Sequence, residues 1–213
     1  MIRGDGMLFH KRYDDGRRVR DVHRFRLALA DREALDLTRS LLDAIHVPTL
    51  VRPFAVGAGR RPMMALHTAK RDDVARLEAH IEVPSERSRE WLSGFLGGIF
   101  DAEGSCSQGA LRISSSNPEL LELIEHAMQA FDFDSVREPH RLNGVASIRL
   151  RGGLAARDRF FSVARPAITR KLDLAGRAVK TSSDLRVNSI DDLGYEIDMI
   201  DITTATGDFT ANG

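Results

Sequence analysis

Residues 96–104 read Leu-Gly-Gly-Ile-Phe-Asp-Ala-Glu-Gly, and this stretch decides the fold. Apolar residues between positions 88 and 100 recur at spacings of three and four, which predicts a helix with one face toward a core. Gly104 is expected to end this helix. Because Gly97 and Gly98 carry no side chains, a second helix can approach this one very closely. Two such helices would place the acids at their C-terminal ends side by side.

A shorter version of the same corner begins the chain. Residues 2–6 read Ile-Arg-Gly-Asp-Gly, and the final glycines of the two corners are 98 residues apart. After each corner the patterns predict two strands, a helix, two strands and a helix. This order predicts an α+β fold of two tandem, pseudo-symmetric repeats, residues 1–84 and 85–183, with helices on one face of each antiparallel sheet.

Periodicity and turn residues locate the elements. Asn117 is expected to cap a helix that Pro118 begins, and Asp31 to cap a helix in the first repeat. The predicted strands cover residues 7–12, 22–29, 50–56, 63–68, 110–114 and 146–151, with a glycine turn at 57–59. Further helices are predicted over 72–81 and through Phe160, Phe161 and Val163.

Composition narrows the class of protein. The 213 residues suit one globular domain, or one domain with a small appendage. A single cysteine, Cys106, cannot build a disulfide framework or a Cys-rich zinc site. No apolar run approaches the length that spans a membrane, and the N-terminus has no apolar segment of signal-peptide length. These features predict a soluble cytoplasmic protein without a membrane partner.

The formal net charge of zero hides a segregation of charge. Residues 184–213 carry a net charge of −6, so residues 1–183 carry +6. The basic residues are mostly arginine, 27 against four lysines. Arginines can simply solvate helix faces, but the guanidinium fork also suits phosphates and guanine edges. The division also suggests two parts of different origin.

Residues 96–104 resemble the nonapeptide that names the LAGLIDADG homing endonucleases, and residues 2–6 resemble the last five positions of a first copy. The resemblance covers about residues 2–183. It implies tandem α-ββ-α-ββ-α repeats with two saddle-like sheets, arranged as a monomer with an internal pseudo-twofold axis. It also implies cleavage of double-stranded DNA at a specific site. Two alternatives are a DNA-binding module of the same fold that no longer cuts, and an inactive remnant.

Asp5 and Glu103 are the predicted metal ligands and catalytic residues. Paired carboxylates are hard oxygen ligands that suit Mg²⁺, which can activate water and stabilise the leaving oxygen of a phosphodiester. The alternative for Glu103 is an exposed acid at a helix C-terminus, where the helix dipole disfavours it. The resemblance implies a basic catalytic residue after the last helix. By position this residue is Lys171, with Arg170 as the alternate, whereas residues 79–84 of the first repeat contain no lysine.

The outward faces of the strands are predicted to bind DNA, because a twisted β-ribbon fits the major groove. Alternation separates the apolar side chains from a polar, basic set, whose simpler interpretation is a solvated sheet face. This set is Lys11, Arg12, Arg24, Arg26, Arg112, Ser114, Arg149 and Arg151.

The acidic tail, residues 184–213, resembles the C-terminal splicing region of inteins over 195–203 and 207–213. The resemblance implies an intein-encoded endonuclease. Asp201 matches an acid that assists splicing in some inteins, but the terminal Asn and the N-terminal splicing half are absent. We therefore expect no self-splicing. The first corner lacks the apolar turns that should precede Arg3, so we expect an N-terminally truncated first repeat in a fragment.

Overall fold

A computed structural model describes residues 1–55, 59, 61–107, 109–174, 192, 194 and 195. These residues form two repeats of the same design, each with a four-stranded antiparallel sheet and helices on one face. The predicted α+β fold of tandem repeats is confirmed. The turn at 57–58 and nearly all of the predicted intein-like tail lie outside the described residues.

The two sheets share one strand order. The first repeat is α1 (Ile2–Asp5), β1 (Gly6–Asp14), β2 (Val19–Leu29), α2 (Arg32–Ala44), β3 (Leu50–Ala55), β4 (Met63–Thr68) and α3 (Arg71–Ile81), with sheet order β1-β2-β4-β3. The second is α4 (Arg89–Glu103), β5 (Gly104–Ser107), β6 (Ala110–Ser115), α5 (Pro118–Ala130), β7 (Ser135–Glu138), β8 (Ala146–Leu150) and α6 (Gly153–Ala164), with order β5-β6-β8-β7. A short 3₁₀ turn at Thr169–Lys171 follows.

Alternating side chains divide each sheet into a helix-facing side and an outer side. In β2, Phe25 and Leu27 are fully buried beneath the helices, whereas the intervening Arg24 and Arg26 lie on the other face. Full burial of one such apolar side chain contributes about 1.5–3 kcal/mol. The second repeat repeats this pattern, with Leu111 and Ile113 buried, so each repeat has its own core.

The predicted caps differ in their actual contacts. Asn117 caps α5 as predicted, since its side chain accepts a hydrogen bond from the amide of Leu120 at 3.2 Å. Asp31 stands at the N-cap of α2, but its carboxylate makes no capping bond. It accepts instead from Nε and Nη2 of Arg170, at 2.7 and 2.8 Å. The competition from a charged partner explains why the capping prediction was wrong in this detail.

Gly104 follows the end of α4, as predicted, but for a different reason. Its backbone is extended, with φ −84° and ψ 149°, so it does not use the left-handed conformation of a glycine cap. A Cβ on Gly104 would overlap both the ring and the carbonyl oxygen of Phe100. Glycine is therefore needed because strand β5 leaves the helix through a space that has no room for a side chain.

The segment after α6 joins the two repeats. Arg165 takes a left-handed conformation, φ 47°, and the following proline turns the chain away from the helix. The chain then crosses to the first repeat, where Ile168 is buried in the core beneath β2. The buried carboxylate of Asp101, in α4, accepts hydrogen bonds from the amides of Ala167 and Ile168 at 2.8 and 2.9 Å. This crossover therefore fixes α4 against the first repeat.

Among the described residues, no helix combines the length and apolar character that a membrane crossing requires.

Gly97 and Gly94 of α4 provide a matched test of this packing. A Cβ on Gly97 would overlap the carbonyl oxygen of Ala164, whereas a Cβ on Gly94 would meet nothing within 4 Å. We expect Gly97→Ala to lose about 1–3 kcal/mol through overpacking and to melt about 2–10 °C lower. Gly94→Ala should gain about 0.5–1 kcal/mol from helix propensity.

Thermal melts followed by circular dichroism measure both changes. A melting temperature for Gly97→Ala equal to that for Gly94→Ala would contradict the close contact between α4 and the end of α6.

Candidate functional site

The two acidic corners meet where α1 runs against α4. The terminal ammonium group of Met1 donates a hydrogen bond to the carbonyl oxygen of Gly98 at 2.9 Å. A Cβ on Gly4 would lie 3.0 Å from Cβ of Ala102 and 3.4 Å from Oε1 of Glu103. The first repeat thus reaches the carboxyl group of Glu103 directly. Since Asp5 ends α1 and Glu103 ends α4, the helix ends that carry the two predicted ligands lie beside each other.

Gly97 and Gly98 of α4 contact two different parts of the chain. We expected both Gly97 and Gly98 to face a second helix of the same kind. Only Gly98 faces α1, where an added Cβ would lie 3.2 Å from the nitrogen of Met1. Gly97 faces the carbonyl of Ala164 at the end of α6. Neighbouring helix positions point about 100° apart, so adjacent glycines serve different contacts.

The ionised form of Asp5 is disfavoured by its surroundings. Burial raises its pKa, and attraction to the terminal ammonium group and to Lys171 only partly offsets the effect. The pKa of the ammonium group is itself lowered by burial, against the attraction of Asp5, Asp101 and Glu103. Three carboxylates therefore attract this buried ammonium group. A cation placed there would lower the cost of ionising Asp5.

Lys171 lies near Asp5, but its ammonium group donates its hydrogen bonds to backbone carbonyl oxygens. Its Nζ donates to the carbonyl oxygens of Phe100, Asp101 and Gly104 at 3.1, 2.7 and 2.8 Å. An ammonium group has three donors, so all are used to cap the end of α4. Burial lowers the pKa of Lys171, while the acids around it oppose that shift. This geometry gives Lys171 the position of a residue that holds Glu103 in place, rather than one with a donor free for phosphate.

Arg170, the alternate basic residue, is also engaged. Its ion pair with Asp31 lowers the pKa of that carboxyl and holds the crossover segment against the start of α2. The neighbouring Thr169 donates to Glu33 through its amide and its hydroxyl, at 3.2 and 2.9 Å. Both predicted basic residues therefore make contacts that hold the neighbouring elements together: Lys171 at the end of α4 and Arg170 at the start of α2.

Asp101 is a site residue that sequence reasoning missed. Its position in the corner motif was matched, but its partners lie 66 and 67 residues away along the chain. Local spacing carries no information about such a contact. A buried amide left without its acceptor costs about 1–3 kcal/mol, and the amide of Ile168 is buried, so this carboxylate fixes the helix end that carries Glu103.

The donor chemistry of the acid pair fits a divalent cation. In the described part of the chain, no group of three or more His, Cys, Asp or Glu side chains is arranged to hold a metal. Mg²⁺ commonly takes only one or two protein carboxylates and completes its octahedron with water and substrate phosphate. Asp5 and Glu103 would supply such a pair, and a cation there would offset the effect of burial on Asp5.

The outer face of the first sheet is basic and partly aromatic. Arg26 stacks on the ring of Phe54 at 4.4 Å and donates to the sulfur of Met7 at 3.6 Å. Lys11 lies over the ring of Tyr13 at 4.8 Å. In the part of this sheet that the structure describes, no carboxylate pairs with these two basic side chains. They form a surface of uncompensated charge.

Arg12 does not belong to this face. Arg12 is paired in register with Asp21 of β2. Asp21 lies four residues from the buried Phe25 and so shares its face of the sheet, which places Arg12 on the helix-facing side. The prediction that adjacent Lys11 and Arg12 both face outward was therefore wrong, because neighbouring strand residues point to opposite faces.

Two outer-face residues, Arg52 and His67, were missed by sequence reasoning. His67 in β4 is paired in register with Arg26, and Arg52 in β3 is paired with Ala65 two residues along β4 from His67. Burial lowers the pKa of His67, and repulsion from Arg52 and Arg24 adds to the effect. Period-two alternation along β3 and β4 is the sequence signal that indicates these two residues.

The outer face of the second sheet pairs its arginines with acids. Arg112 and Arg149 both contact Glu138, and Arg151 forms a bidentate pair with Asp134. Ser114 and Ser147 share a hydrogen bond at 2.8 Å. The predicted outward direction of Arg112, Ser114, Arg149 and Arg151 agrees with the burial of the alternate residues. Their charge, however, is largely compensated, in contrast to the first sheet.

Comparisons with known proteins agree with this architecture. Residues 90–161 match the family described as the LAGLIDADG-like domain. Mesophilic variants of the homing endonuclease I-DmoI share the fold at TM-score 0.61 and 18% identity, over 81% of this chain and 93% of theirs. An I-DmoI variant in complex with its target DNA and Mn gives 0.61 and 17%, over 78% of this chain and 91% of its own.

A more distant structure, the LAGLIDADG homing endonuclease I-GzeII in complex with its DNA target, matches at TM-score 0.54 and 10% identity, over 80% of this chain and 83% of that one. Structures of I-DmoI with DNA also include Mg and Ca. No curated protein sequence matches significantly. The fold of this chain is that of the LAGLIDADG homing endonucleases.

Asp5→Asn tests the electrostatics of the acid pair. Because burial raises the pKa of Asp5, the folded carboxyl keeps its proton to a higher pH than the unfolded one. Ionisation of Asp5 therefore costs stability at pH 7.5, and this cost fades as pH falls through the raised folded value. We expect Asp5→Asn to melt at a higher temperature than the parent at pH 7.5, with a difference that shrinks toward pH 4.

Melting curves from pH 7.5 to pH 4 measure this difference, and Asp158→Asn on the exposed face of α6 is the control. A lower melting temperature for Asp5→Asn at pH 7.5 would contradict the account.

Proposed function

We propose that this chain is a site-specific endonuclease that binds double-stranded DNA along the outer faces of its sheets and hydrolyses phosphodiester bonds beside Asp5 and Glu103. The observation that carries the proposal is the close approach of the ends of α1 and α4, which carry these two acids. Two structurally similar proteins, I-DmoI and I-GzeII, are described as homing endonucleases, and structures of both are described in complex with target DNA. Their DNA complexes support the assignment of the substrate class.

Asp5 and Glu103 would hold the metal ion, for which we propose Mg²⁺. A bound divalent ion would activate a water molecule and stabilise the leaving oxygen of the phosphodiester. The chain itself supplies the placement of the two carboxylates. Asp101 and Lys171 fix the end of α4 that carries Glu103, and Gly4 allows α1 to approach that end closely.

The outer faces would supply the binding energy for DNA. Arg24 and Arg26, with Lys11 beside them, present positive charge without a carboxylate partner among the described residues of the sheet. Phosphate neutralisation by such residues would dominate affinity and give it a steep dependence on salt. The second sheet would add side chains that read base edges, through Arg112, Arg149 and Arg151 with Ser114.

A second candidate function is DNA binding without cleavage. The observation that favours it is the use of all three Lys171 donors by carbonyl groups, which removes the predicted phosphate contact. The two functions share the DNA surface and differ only at the acid pair.

The wider context is a proposal from the sequence. We infer an intein-encoded origin from the resemblance of residues 195–203 and 207–213 to a C-terminal splicing region. A cytoplasmic monomer is the form we propose, with the pseudo-twofold axis supplied by the two repeats of one chain.

Glu103→Gln separates the two candidate functions. Duplexes of random sequence are first enriched by binding to the parent protein in EDTA and then cloned into supercoiled plasmid. We expect the parent to nick this pool when Mg²⁺ is added. Glu103→Gln and Asp5→Asn should each reduce the nicking rate by at least about 100-fold, while affinity in EDTA stays within about two-fold of the parent.

Glu119→Gln, an exposed acid in α5, is the matched control and should nick like the parent. Binding without Mg²⁺-dependent nicking would leave the DNA-binding module as the function. Failure to retain any duplex at low salt would contradict both candidates.

A further inference from the structure

One carboxylate holds two arginines on the outer face of the second sheet. Nε of Arg112 donates to both oxygens of Glu138, at 3.0 and 2.9 Å. Nε of Arg149 lies 3.0 Å from Oε1 of the same carboxylate. The three side chains are partly exposed, at 29%, 38% and 27% for Arg112, Arg149 and Glu138. They form a cluster with one net positive charge at the solvent surface.

The register of the strands fixes this cluster. Arg112 in β6 and Arg149 in β8 are directly paired, and Glu138 in β7 is paired with Ser147, two residues from Arg149. The residues between them, such as the buried Ile148, point to the core. All three charged side chains therefore leave the same face, with the carboxylate beside the pair of guanidinium groups.

The contacts with Glu138 leave the terminal Nη groups of both arginines free of hydrogen bonds within the described residues. Both guanidinium groups reach Glu138 through Nε. The two Nη groups of arginine are the donors that grip O6 and N7 of guanine in the major groove. A carboxylate that fixes the stem of the side chain, and not its tip, restricts the rotamers without occupying the donors.

The cluster contributes little to stability. Exposed ion pairs contribute about 0–1 kcal/mol, because solvent screens them and two long side chains lose rotamer freedom. Glu138 stays ionised nonetheless, since the hydrogen bond from Arg112 and the charge of Arg149 lower its pKa. An acid in the middle of a surface that would bind polyanionic DNA also weakens affinity. Its presence there calls for a role other than stability or affinity.

We propose that Glu138 is a specificity-determining positioning residue, which presents Arg112 and Arg149 as a fixed pair that reads guanines in the major groove of duplex DNA. The inference rests on the proposed DNA binding and assigns the second sheet the part of base discrimination. The first sheet, with no carboxylate paired to Lys11 or Arg26 in its described part, supplies the sequence-independent charge.

We expect Glu138→Gln to raise the affinity for DNA and at the same time to lower the base preference, whereas loss of a negative charge alone would only raise the affinity. The variant frees two arginines to turn toward phosphates, so affinity for random duplex should rise by a few fold. The slope of log K against log salt should steepen by about one to two units. Discrimination in favour of guanine should fall by about five-fold or more at the positions that the pair reads.

Glu125→Gln is the matched control. Glu125 pairs with Arg137 on the helix-facing side of the same sheet, at similar exposure, so the variant removes the same charge away from the outer face. It should change neither the base preference nor the salt slope. Glu138→Asp retains the charge and should keep part of the guanine preference.

The experiment enriches a random 30-base-pair duplex library on the parent and on each variant in EDTA, reads base preferences by sequencing, and measures affinity across a salt series. A parent that retains no duplex would end the proposed function itself. A parent that binds but prefers no guanine, a Glu138→Gln variant with the parental preference, or an equal loss in Glu125→Gln would each overturn the role of Glu138 alone.

Discussion

The close approach of α1 to α4 brings the two acidic corners of the chain together. With no Cβ on Gly4 or Gly98, the backbone of the first repeat lies against the helix of the second. This contact sets Gly4, the residue before Asp5, against the carboxyl group of Glu103. Burial of Asp5 raises its pKa, and a cation bound beside it would offset the cost of ionising it.

A second set of contacts keeps that junction rigid. Two backbone amides of the segment after α6 donate hydrogen bonds to Asp101. In the same segment, Ile168 packs in the core of the first repeat and Lys171 contacts the end of α4. Arg170 completes the crossover by pairing with Asp31. The basic residues near the acids therefore act as braces. Rigid support of this kind is what a pair of metal ligands needs to hold a fixed separation.

Sequence patterns predicted what depends on local periodicity. Alternation in β2 and β6, the Asn117 cap and the two glycine corners all led to the observed elements. What failed depended on partners distant in the chain. The capping role of Asp31 was lost to Arg170, 139 residues away, and no spacing rule could predict the contacts of Asp101. The placement of Arg12 was an error of parity that the strand period itself could have corrected.

The most direct test of the central contact is a disulfide between positions 4 and 102. A Cβ on Gly4 would lie 3.0 Å from Cβ of Ala102, and a small shift gives the usual disulfide separation. In a Cys106→Ser background, Gly4→Cys with Ala102→Cys should oxidise to one intramolecular bond, found by mass spectrometry of the linked peptides. Leu142→Cys with Ala102→Cys, which uses an exposed loop tip, should remain reduced. Free thiols in the first pair under the same oxidation would contradict the abutting corners.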